Sequence, residues 1–150
     1  MLAQGEQAPE IELQTDTGDP FTLAANRGKK IVLYFYPKAD TPGCTTEACE
    51  FRDLSKKFAK KNAVIVGVSP DAIKSQSKFK GKYDLPFTLL ADVDRAAAEA
   101  YGVWKEKNMY GKKVMGIERT TFIIDEEGKI AKVFGKVKAQ GHAEQVLAAL

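Results

Sequence analysis

A chain of 150 residues is long enough to bury a core without disulfides or metals, and its length predicts a single domain over residues 1–150. The apolar fraction of 44% and the charged fraction of 29% are ordinary for a globular protein, and a net charge of +3 is too small to indicate a nucleic-acid partner. The chain shows no leader-like N-terminus, and its longest apolar run, residues 31–36, is too short to span a bilayer. We therefore expect a cytoplasmic protein with no membrane or nucleic-acid partner, in a compartment where paired cysteines are more often reactive than structural.

The first predicted element is a short hairpin, in which residues 11–13 and 21–23 flank the turn sequence TGDP. Strands and helices then alternate, which is typical of an α/β domain with parallel strands. In chain order these predicted elements are a strand at 29–37, a helix at 41–61, a strand at 63–69, a helix at 71–80, a strand at 86–92 and a helix at 94–101.

The last part of the chain predicts an antiparallel hairpin and a final helix. Strands at 119–125 and 129–135 are joined by the turn sequence DEEG, and an amphipathic helix follows at 141–150. A parallel start and an antiparallel finish predict an α/β fold with a mixed β-sheet flanked by helices. This arrangement is thioredoxin-like, with an added N-terminal β-hairpin.

Both cysteines lie in the stretch PKADTPGCTTEACEFRD, residues 37–53. Thr41 suits the N-cap of a helix and Pro42 its first position, so Gly43 and Cys44 are expected in the first turn. Unpaired backbone N–H groups and the positive end of the helix dipole favour an anion at that place. The thiolate is the nucleophilic form of cysteine, so Cys44 is predicted to be reactive.

The spacing of the two cysteines separates their sulfurs on the predicted helix. Five helical residues advance about 7.5 Å and turn about 140°, which puts the two Cα atoms roughly 8.7 Å apart. A disulfide needs Cα atoms within about 7 Å, so Cys44 and Cys49 cannot bond while the helix is intact. Cys44 falls on the apolar stripe and Cys49 on the polar face, and only one histidine, His142, is present, so a shared metal site is disfavoured. Two unrelated free thiols remain an alternative.

The residues Pro37, Thr41 and Cys44 spell P-x-x-x-T-x-x-C, and Arg119 begins a late strand in the segment ERTTFIID. Together with TPGCTTEACEFRD, these motifs resemble the active-site signature of the peroxiredoxins, and in particular the bacterioferritin comigratory protein (peroxiredoxin Q) subfamily. The similarity extends along nearly the whole chain, through APEIEL, LPFTLLAD and YGVW. It implies a peroxidase that reduces hydrogen peroxide and organic hydroperoxides without a metal, haem, flavin or other cofactor.

The resemblance also implies roles for the matching residues. Cys44 corresponds to the peroxidatic cysteine, and Cys49 to a resolving cysteine that forms a Cys44–Cys49 disulfide after local unwinding. Thr41 would present its hydroxyl to the thiolate, and Arg119 would keep the thiolate ionised and orient the peroxide. Pro37 would shield the sulfur from bulk solvent.

Four further residues are predicted to contact the substrate or the developing charge. The backbone N–H of Gly43 would stabilise negative charge at the helix start, and Glu47 matches a position that is usually acidic or amide in the family. Phe87 and Trp104 lie in family-like segments and are expected to line the entrance. Thioredoxin or a similar dithiol is the implied reductant, and the subfamily implies a monomer, with a dimer as the alternative.

Two other classes of function stay open on the residues alone. A non-enzymatic basic domain of thioredoxin fold would use its lysine-rich helix face as a docking surface; the lysines are Lys56, Lys57, Lys60 and Lys61. A thiol–disulfide oxidoreductase acting on proteins is opposed by the missing Cys-x-x-Cys motif. His142 is expected on the surface, without a catalytic role.

Overall fold

The computed structural model describes residues 2–150 and contains nine strands and five α-helices within them. The strands are β1 (Glu12–Thr15), β2 (Pro20–Thr22), β3 (Lys30–Phe35), β4 (Ala63–Ser69), β5 (Thr88–Ala91), β6 (Trp104–Met109), β7 (Lys112–Ile117), β8 (Thr120–Ile124) and β9 (Ile130–Phe134). The helices are α1 (Pro42–Asp53), α2 (Ser55–Lys60), α3 (Ile73–Tyr83), α4 (Ala96–Ala100) and α5 (His142–Ala148). None of these helices is long and apolar enough to cross a membrane.

Seven strands form one mixed sheet in the order β2-β1-β5-β4-β3-β8-β9. Strands β3, β4 and β5 run parallel, whereas β1 and β8 join them antiparallel. The edge strands are β2, which has three residues, and β9, whose pairing with β8 shifts register between Ile123 and Ile124. The predicted mixed sheet with an added N-terminal hairpin is confirmed.

The interior strand β3 is buried on both faces because helices or loops cover both sides of the sheet. Its side chains alternate between two cores, as the two-residue period of a strand requires. Ile31, Leu33 and Phe35 enter one core, to which α4 contributes Ala97 and Ala98. The other core, which we call the α1 core, contains Val32, Tyr34 and Tyr36 with Cys44, Phe51, Phe58, Phe79 and Val146 from α1, α2, α3 and α5. The predicted reactive helix is therefore packed against the centre of the sheet.

The single helix predicted at 41–61 is two helices, separated at Leu54. This residue has φ −102° and ψ 4°, and α2 begins directly after it. Phe51 and Phe58, on either side of the break, are both fully buried, and their ring centroids are 5.7 Å apart. Residues 51–58, around the break, contain no glycine or proline to signal the interruption. The helix axis therefore changes direction where the two rings pack in the core, and not at a helix-breaking residue.

His142 is buried, and the expectation that it lies on the surface is wrong. Only 2% of the residue is exposed, and its Nε2 lies 2.7 Å from Thr121 Oγ1. Its ring packs edge-on against the rings of Phe51 and Phe134. Burial lowers the pKa of His142, and the Arg119 guanidinium lowers it further, so the neutral imidazole is favoured.

The β6–β7 hairpin was not predicted from the sequence. The two strands pair antiparallel and stand apart from the main sheet. Tyr110 and Gly111 form the turn, with φ values of 53° and 78°. Two successive positive φ values are typical of a type I′ hairpin turn, but that turn usually carries Asn or Asp where this chain has tyrosine. The unusual turn residue removed the sequence signal.

The central strand β4 leaves no room for a side chain at Gly67. A Cβ there would lie 2.9 Å from Leu89 Cδ2 and 2.9 Å from Tyr34 Cζ. We expect Gly67→Ala to lower the free energy of unfolding by about 1–3 kcal/mol through overpacking. The matched control is Gly81→Ala in α3, where nothing lies within 4 Å of the new Cβ. That variant should be as stable as the wild type or more stable by up to about 1 kcal/mol, because alanine favours helix.

Urea-induced unfolding of the two alanine variants measures both effects on the same protein. A Gly67→Ala protein as stable as the wild type would contradict the close approach of Tyr34 and Leu89 to the backbone of β4.

Candidate active site

The topology of the sheet brings Arg119 beside the start of α1. Strand β3 ends at Phe35, and α1 begins after a loop at residues 36–41. Strand β8 runs antiparallel to β3, and its first residue, Thr120, pairs with Phe35. Arg119 immediately precedes β8, so it lies at the end of β3 from which the chain leads into α1. Residues 75 positions apart in the chain, Cys44 and Arg119, meet in this way.

The Arg119 guanidinium binds two groups of α1 at once. Its Nη2 lies 3.3 Å from Cys44 Sγ, and its Nη1 donates to Glu47 Oε1 at 2.6 Å. The Glu47 side chain is fully buried and that of Arg119 is 16% exposed. We call Cys44, Glu47 and Arg119 the arginine fork. The family resemblance implied the Arg119–Cys44 contact but not the pairing with Glu47.

Gly43 makes the approach of Arg119 possible. A Cβ at this position would lie 3.2 Å from Arg119 Nη2, which is tighter than an ordinary van der Waals contact. The absence of a side chain in the first turn therefore lets the guanidinium lie against the helix start and reach Cys44. Gly43 acts in the structure by being small, in addition to the backbone role predicted for it.

Thr41 occupies the N-cap position, as predicted, but its hydroxyl does not cap the helix. Its backbone is extended, with φ −95° and ψ 158°, and Pro42 follows at the first helical position. Its Oγ1 donates to the Lys38 carbonyl at 2.8 Å. The first helical ladder bond runs from Thr45 N to Thr41 O at 2.8 Å. The amides of Gly43 and Cys44 precede this bond, so they are free of the helical ladder and available to an anion.

The loop that precedes α1 is held in place by α3 and the loop before it. Ala39 N donates to Asp71 Oδ2 at 2.8 Å. Asp40 adopts a positive φ of 61°, and its carboxylate accepts from Lys82 Nζ at 2.9 Å and from Tyr83 Oη at 2.7 Å. These contacts fix the point at which the chain enters α1, and with it the position of Cys44.

Both cysteines are free thiols on one unbroken helix. Cys44 is 1% exposed and faces the α1 core, where Ala48 and Phe51 continue the same stripe. Cys49 is half-buried, which is less open than the exposed position predicted for it. The predicted assignment of the two thiols to different environments is confirmed, and no Cys44–Cys49 bond is present.

The remaining predicted site residues, Pro37, Phe87 and Trp104, lie in three different parts of the structure. Pro37 directly follows Tyr36 and is half-exposed where the chain leaves β3. Phe87 belongs to the α1 core and packs edge-on against Tyr34, with ring centroids 6.0 Å apart. Trp104 packs against the opposite core, and the Arg95 guanidinium lies 4.7 Å from its ring centroid. Substrate contacts by Phe87 and Trp104 stay predictions.

Burial dominates the electrostatics of Glu47. Its pKa is raised from the ordinary value of 4.5 to about 7, because burial penalises the charged carboxylate more than the charge and hydrogen bond of Arg119 favour it. Glu47 Oε2 and the Tyr34 hydroxyl have no hydrogen-bond partner among the described residues. Burial raises the pKa of Tyr34 strongly, and nearby Tyr36, Glu47 and Cys44 raise it further. Tyr34 was not predicted as a site residue, because its only signal in the sequence is a hydroxyl within an apolar strand.

The site is a tight environment at a helix start rather than a wide cleft. A cavity of about 740 Å³ lies elsewhere, between the β1–β2 hairpin and the start of α3, and no member of the arginine fork lines it. Within residues 2–150, no cluster of three or more histidine, cysteine or acidic side chains could hold a metal ion. The arginine fork provides a buried sulfur and a cation, and the first turn of α1 adds the free backbone amides of Gly43 and Cys44.

Comparison with known proteins places this geometry in a family. Residues 4–133 match the AhpC/TSA family. The chain is 53% identical to peroxiredoxin Bcp of Bacillus subtilis over 97% of this chain and 93% of that protein.

Two solved structures are also similar. The bacterioferritin comigratory protein of Xanthomonas campestris superposes with a TM-score of 0.89 at 47% identity, over 93% of this chain and 88% of that one. A mutant of PrxQ from Xylella fastidiosa superposes with a TM-score of 0.94 at 38% identity, over 99% of this chain and 94% of that one. The thioredoxin-like fold predicted from the sequence is confirmed by these similarities.

The raised pKa of Glu47 predicts how stability depends on pH. Between 4.5 and about 7 the folded protein keeps a proton on Glu47 that the unfolded chain has already lost. A rise in pH through this window should therefore lower the free energy of unfolding, by on the order of 3 kcal/mol. Glu47→Gln removes the titration, so the difference in stability between wild type and variant should shift by that amount across the window.

Chemical denaturation at several pH values measures this difference. A difference that stays constant, or a wild type that gains stability relative to Glu47→Gln as the pH rises, would show that the Arg119 charge outweighs burial at Glu47.

Proposed function

The chain belongs to the AhpC/TSA family and is a peroxiredoxin of the bacterioferritin comigratory protein group, and from this membership we propose that Cys44 is its peroxidatic cysteine and Cys49 its resolving cysteine. The protein is a thiol-dependent peroxidase with an antioxidant function. This function is favoured over the two alternatives, a non-enzymatic binding domain and a thiol–disulfide oxidoreductase that acts on proteins. The observation that carries the proposal for Cys44 is the 3.3 Å contact between its sulfur and Arg119 at the start of α1.

The first step is attack of the Cys44 thiolate on the terminal peroxide oxygen. A sulfur–oxygen bond forms, the O–O bond breaks, and the products are a Cys44 sulfenic acid and an alkoxide or hydroxide, which takes a proton. Arg119 and the first-turn amides of Gly43 and Cys44 stabilise the negative charge before and during this transfer. The substrates we propose are hydrogen peroxide and organic hydroperoxides, and the Xanthomonas campestris relative is described for its alkyl peroxide reduction activity.

Thr41 can act on the peroxide as a hydrogen-bond acceptor. Its hydroxyl proton is donated to the Lys38 carbonyl, which leaves lone pairs of Oγ1 free. A peroxide O–H that donates to this oxygen would hold its terminal oxygen, the one that is attacked, near the Cys44 sulfur. Pro37, at the end of β3, limits access of solvent to the same place.

The second step joins the two sulfurs and requires part of α1 to unwind. The Cys49 sulfur attacks the sulfenic acid, a disulfide forms and water leaves. The structure bounds the segment that can move: on one side Asp40 is held by Lys82 and Tyr83. On the other side Glu50 Oε1 accepts from Gly141 N at 2.8 Å, and buried Phe51 follows it. Residues 41–49 are therefore the segment that unwinds, and Cys49 sits at its anchored end.

The disulfide is returned to two thiols by an external dithiol. Thiol–disulfide exchange with thioredoxin, or with a similar dithiol protein, consumes the reductant and restores Cys44 and Cys49. We propose that this cycle runs in a cytoplasmic monomer, with a dimer as the alternative. Since both protein sulfurs come from one helix, each copy of the chain is complete for the cycle.

Replacing each cysteine separates the two steps. With thioredoxin and its reductase present, Cys44→Ser should consume no peroxide, because no nucleophile remains. Cys49→Ser should consume about one equivalent of peroxide per protein and then stop turning over with thioredoxin, because the sulfenic acid is not resolved. Stopped-flow peroxide consumption measures both quantities.

Full turnover by Cys44→Ser would overturn the assignment of the peroxidatic cysteine, and sustained thioredoxin-linked turnover by Cys49→Ser would overturn the assignment of the resolving cysteine. Circular dichroism of both variants checks that they keep the fold.

The unwinding step predicts a local change in hydrogen exchange. In the oxidised protein the amides of residues 45–49 should exchange at least about tenfold faster than in the reduced protein, because their helical bonds are broken. The amides of Leu54 and Phe58 should keep their protection, because they donate to the carbonyls of Glu50 and Leu54, which lie beyond the segment that unwinds. Exchange measured by mass spectrometry on both redox forms provides the comparison.

Mapping of the disulfide by peptide analysis must accompany this experiment. A proven Cys44–Cys49 bond with unchanged exchange across residues 45–49 is the outcome that rules out unwinding.

A further inference from the structure

The β6–β7 hairpin carries a lysine back toward the arginine fork. Lys107 in β6 is half-buried, whereas its neighbours Glu106 and Asn108 are exposed. Its side chain lies across Gly116 of β7: a Cβ at Gly116 would be 3.3 Å from Lys107 Cδ and 3.7 Å from its Nζ.

The direction in which the Lys107 side chain extends follows from the strand register. Lys107 pairs with Val114, whereas Gly116 pairs with Lys105, two residues nearer the base of the hairpin. The ammonium therefore extends along the hairpin toward Arg119, which follows the end of β7 by two positions. The missing side chain at Gly116 leaves the space in which Lys107 lies.

The electrostatics of Lys107 agree with this placement. Burial lowers the pKa of its ammonium, and the Arg119 guanidinium lowers it further, while Glu118 and Cys44 raise it. The ammonium is thus within electrostatic reach of both the cation and the sulfur of the arginine fork.

The neighbouring cations are paired, and Lys107 is not. Arg119 shares its charge with Glu47 at 2.6 Å, and Lys105 is paired with Glu118 at 3.1 Å. In residues 2–150, Lys107 takes part in no ion pair within 4.0 Å. No carboxylate therefore contacts the Lys107 ammonium directly among these residues.

The other titratable groups near the sulfur do not supply this charge. Burial raises the pKa of Tyr34 and of Tyr36 well above the ordinary value, so both are neutral. His142 is favoured in its neutral form. Glu47, with a pKa of about 7, adds negative charge as the pH rises. When Glu47 is ionised, a thiolate at Cys44 is a second anion beside the single positive charge of Arg119. The three groups together then carry a net negative charge.

We propose that Lys107 is a second cation of the Cys44 site, whose charge balances the part of the thiolate charge that Arg119, shared with Glu47, does not. Lys107 acts on the sulfur through space and is a positioning residue in that sense, not a group that contacts the reacting atoms. The same charge draws anionic reactants to Cys44 in preference to neutral ones. This inference rests on the proposed function only in taking Cys44 as the reactive thiol.

Alkylation of Cys44 tests the proposal without any peroxide. The measurement uses the Cys49→Ser protein, in which one thiol remains, and compares neutral iodoacetamide with anionic iodoacetate across pH. We expect Lys107→Met to lower the iodoacetamide rate about threefold near neutral pH, where Glu47 becomes ionised and shares Arg119, and to leave the rate at strongly alkaline pH, where thiols are fully ionised, unchanged. We expect the ratio of the iodoacetate rate to the iodoacetamide rate to fall by about threefold as well.

Two matched variants separate charge from packing. Lys112→Met removes the same charge from an exposed position on the same hairpin and should change neither rate. Lys107→Arg keeps the charge and should restore both the pH profile and the ratio.

An unchanged profile and ratio in Lys107→Met, or equal losses with both reagents at every pH, would overturn the proposal and leave Lys107 as a packing residue over Gly116. Because no peroxide is involved, these results stand apart from those of the peroxidase assay. A protein that shows the Lys107 effect but no peroxide turnover would refute the proposed cysteine roles alone.

Discussion

One guanidinium that must serve two acidic groups organises the structure around it. Arg119 can reach both Cys44 and Glu47 because its planar fork presents parallel N–H groups and because both partners lie one turn apart on α1. A buried carboxylate without such a partner would be strongly destabilising. The pairing of Arg119 with Glu47 therefore fixes the first turns of α1 against the start of β8. Gly43 leaves room for the guanidinium, and the register of β3 with β8 places Arg119 beside α1.

The same contact links the chemistry to the movement that follows it. In the proposed mechanism, Arg119 attracts a negative charge on Cys44, and conversion of Cys44 to sulfenic acid removes that charge. On the proposed mechanism, the attraction that keeps the first turn of α1 folded weakens at the step when unwinding is required. The helix itself supplies the other constraint, because a separation of five residues keeps the sulfurs apart for as long as the turn remains.

The features that local patterns determine were predictable from the sequence. The apolar runs gave β3 and β4, the Thr41–Pro42 pair gave the start of α1, and helical spacing gave the different environments of Cys44 and Cys49. The Arg119–Cys44 contact was predicted only through the family resemblance, since nothing local to either residue indicates it.

The features that depend on contacts between distant segments were missed. His142 is buried because Phe51 and Phe134 close around it, and the break at Leu54 accompanies packing of aromatic rings rather than a helix breaker. Lys107 is beyond sequence reasoning for the same reason: its place depends on the register of a hairpin whose turn carries an unusual residue. Each miss is a case in which tertiary structure overrides a local rule.

The two edges of the main sheet bear on how copies of this protein can associate. A sheet edge with free N–H and C=O groups is a template for adding strands from another chain. Here one edge, β2, is only three residues long and begins with Pro20, which has no N–H to donate. The other, β9, carries exposed Lys132 and the register shift that interrupts its ladder. Strand-by-strand growth into dimers or fibres is discouraged at both edges of the main sheet, so a stable oligomer of this chain would have to form elsewhere, through its helices, its loops or the β6–β7 hairpin.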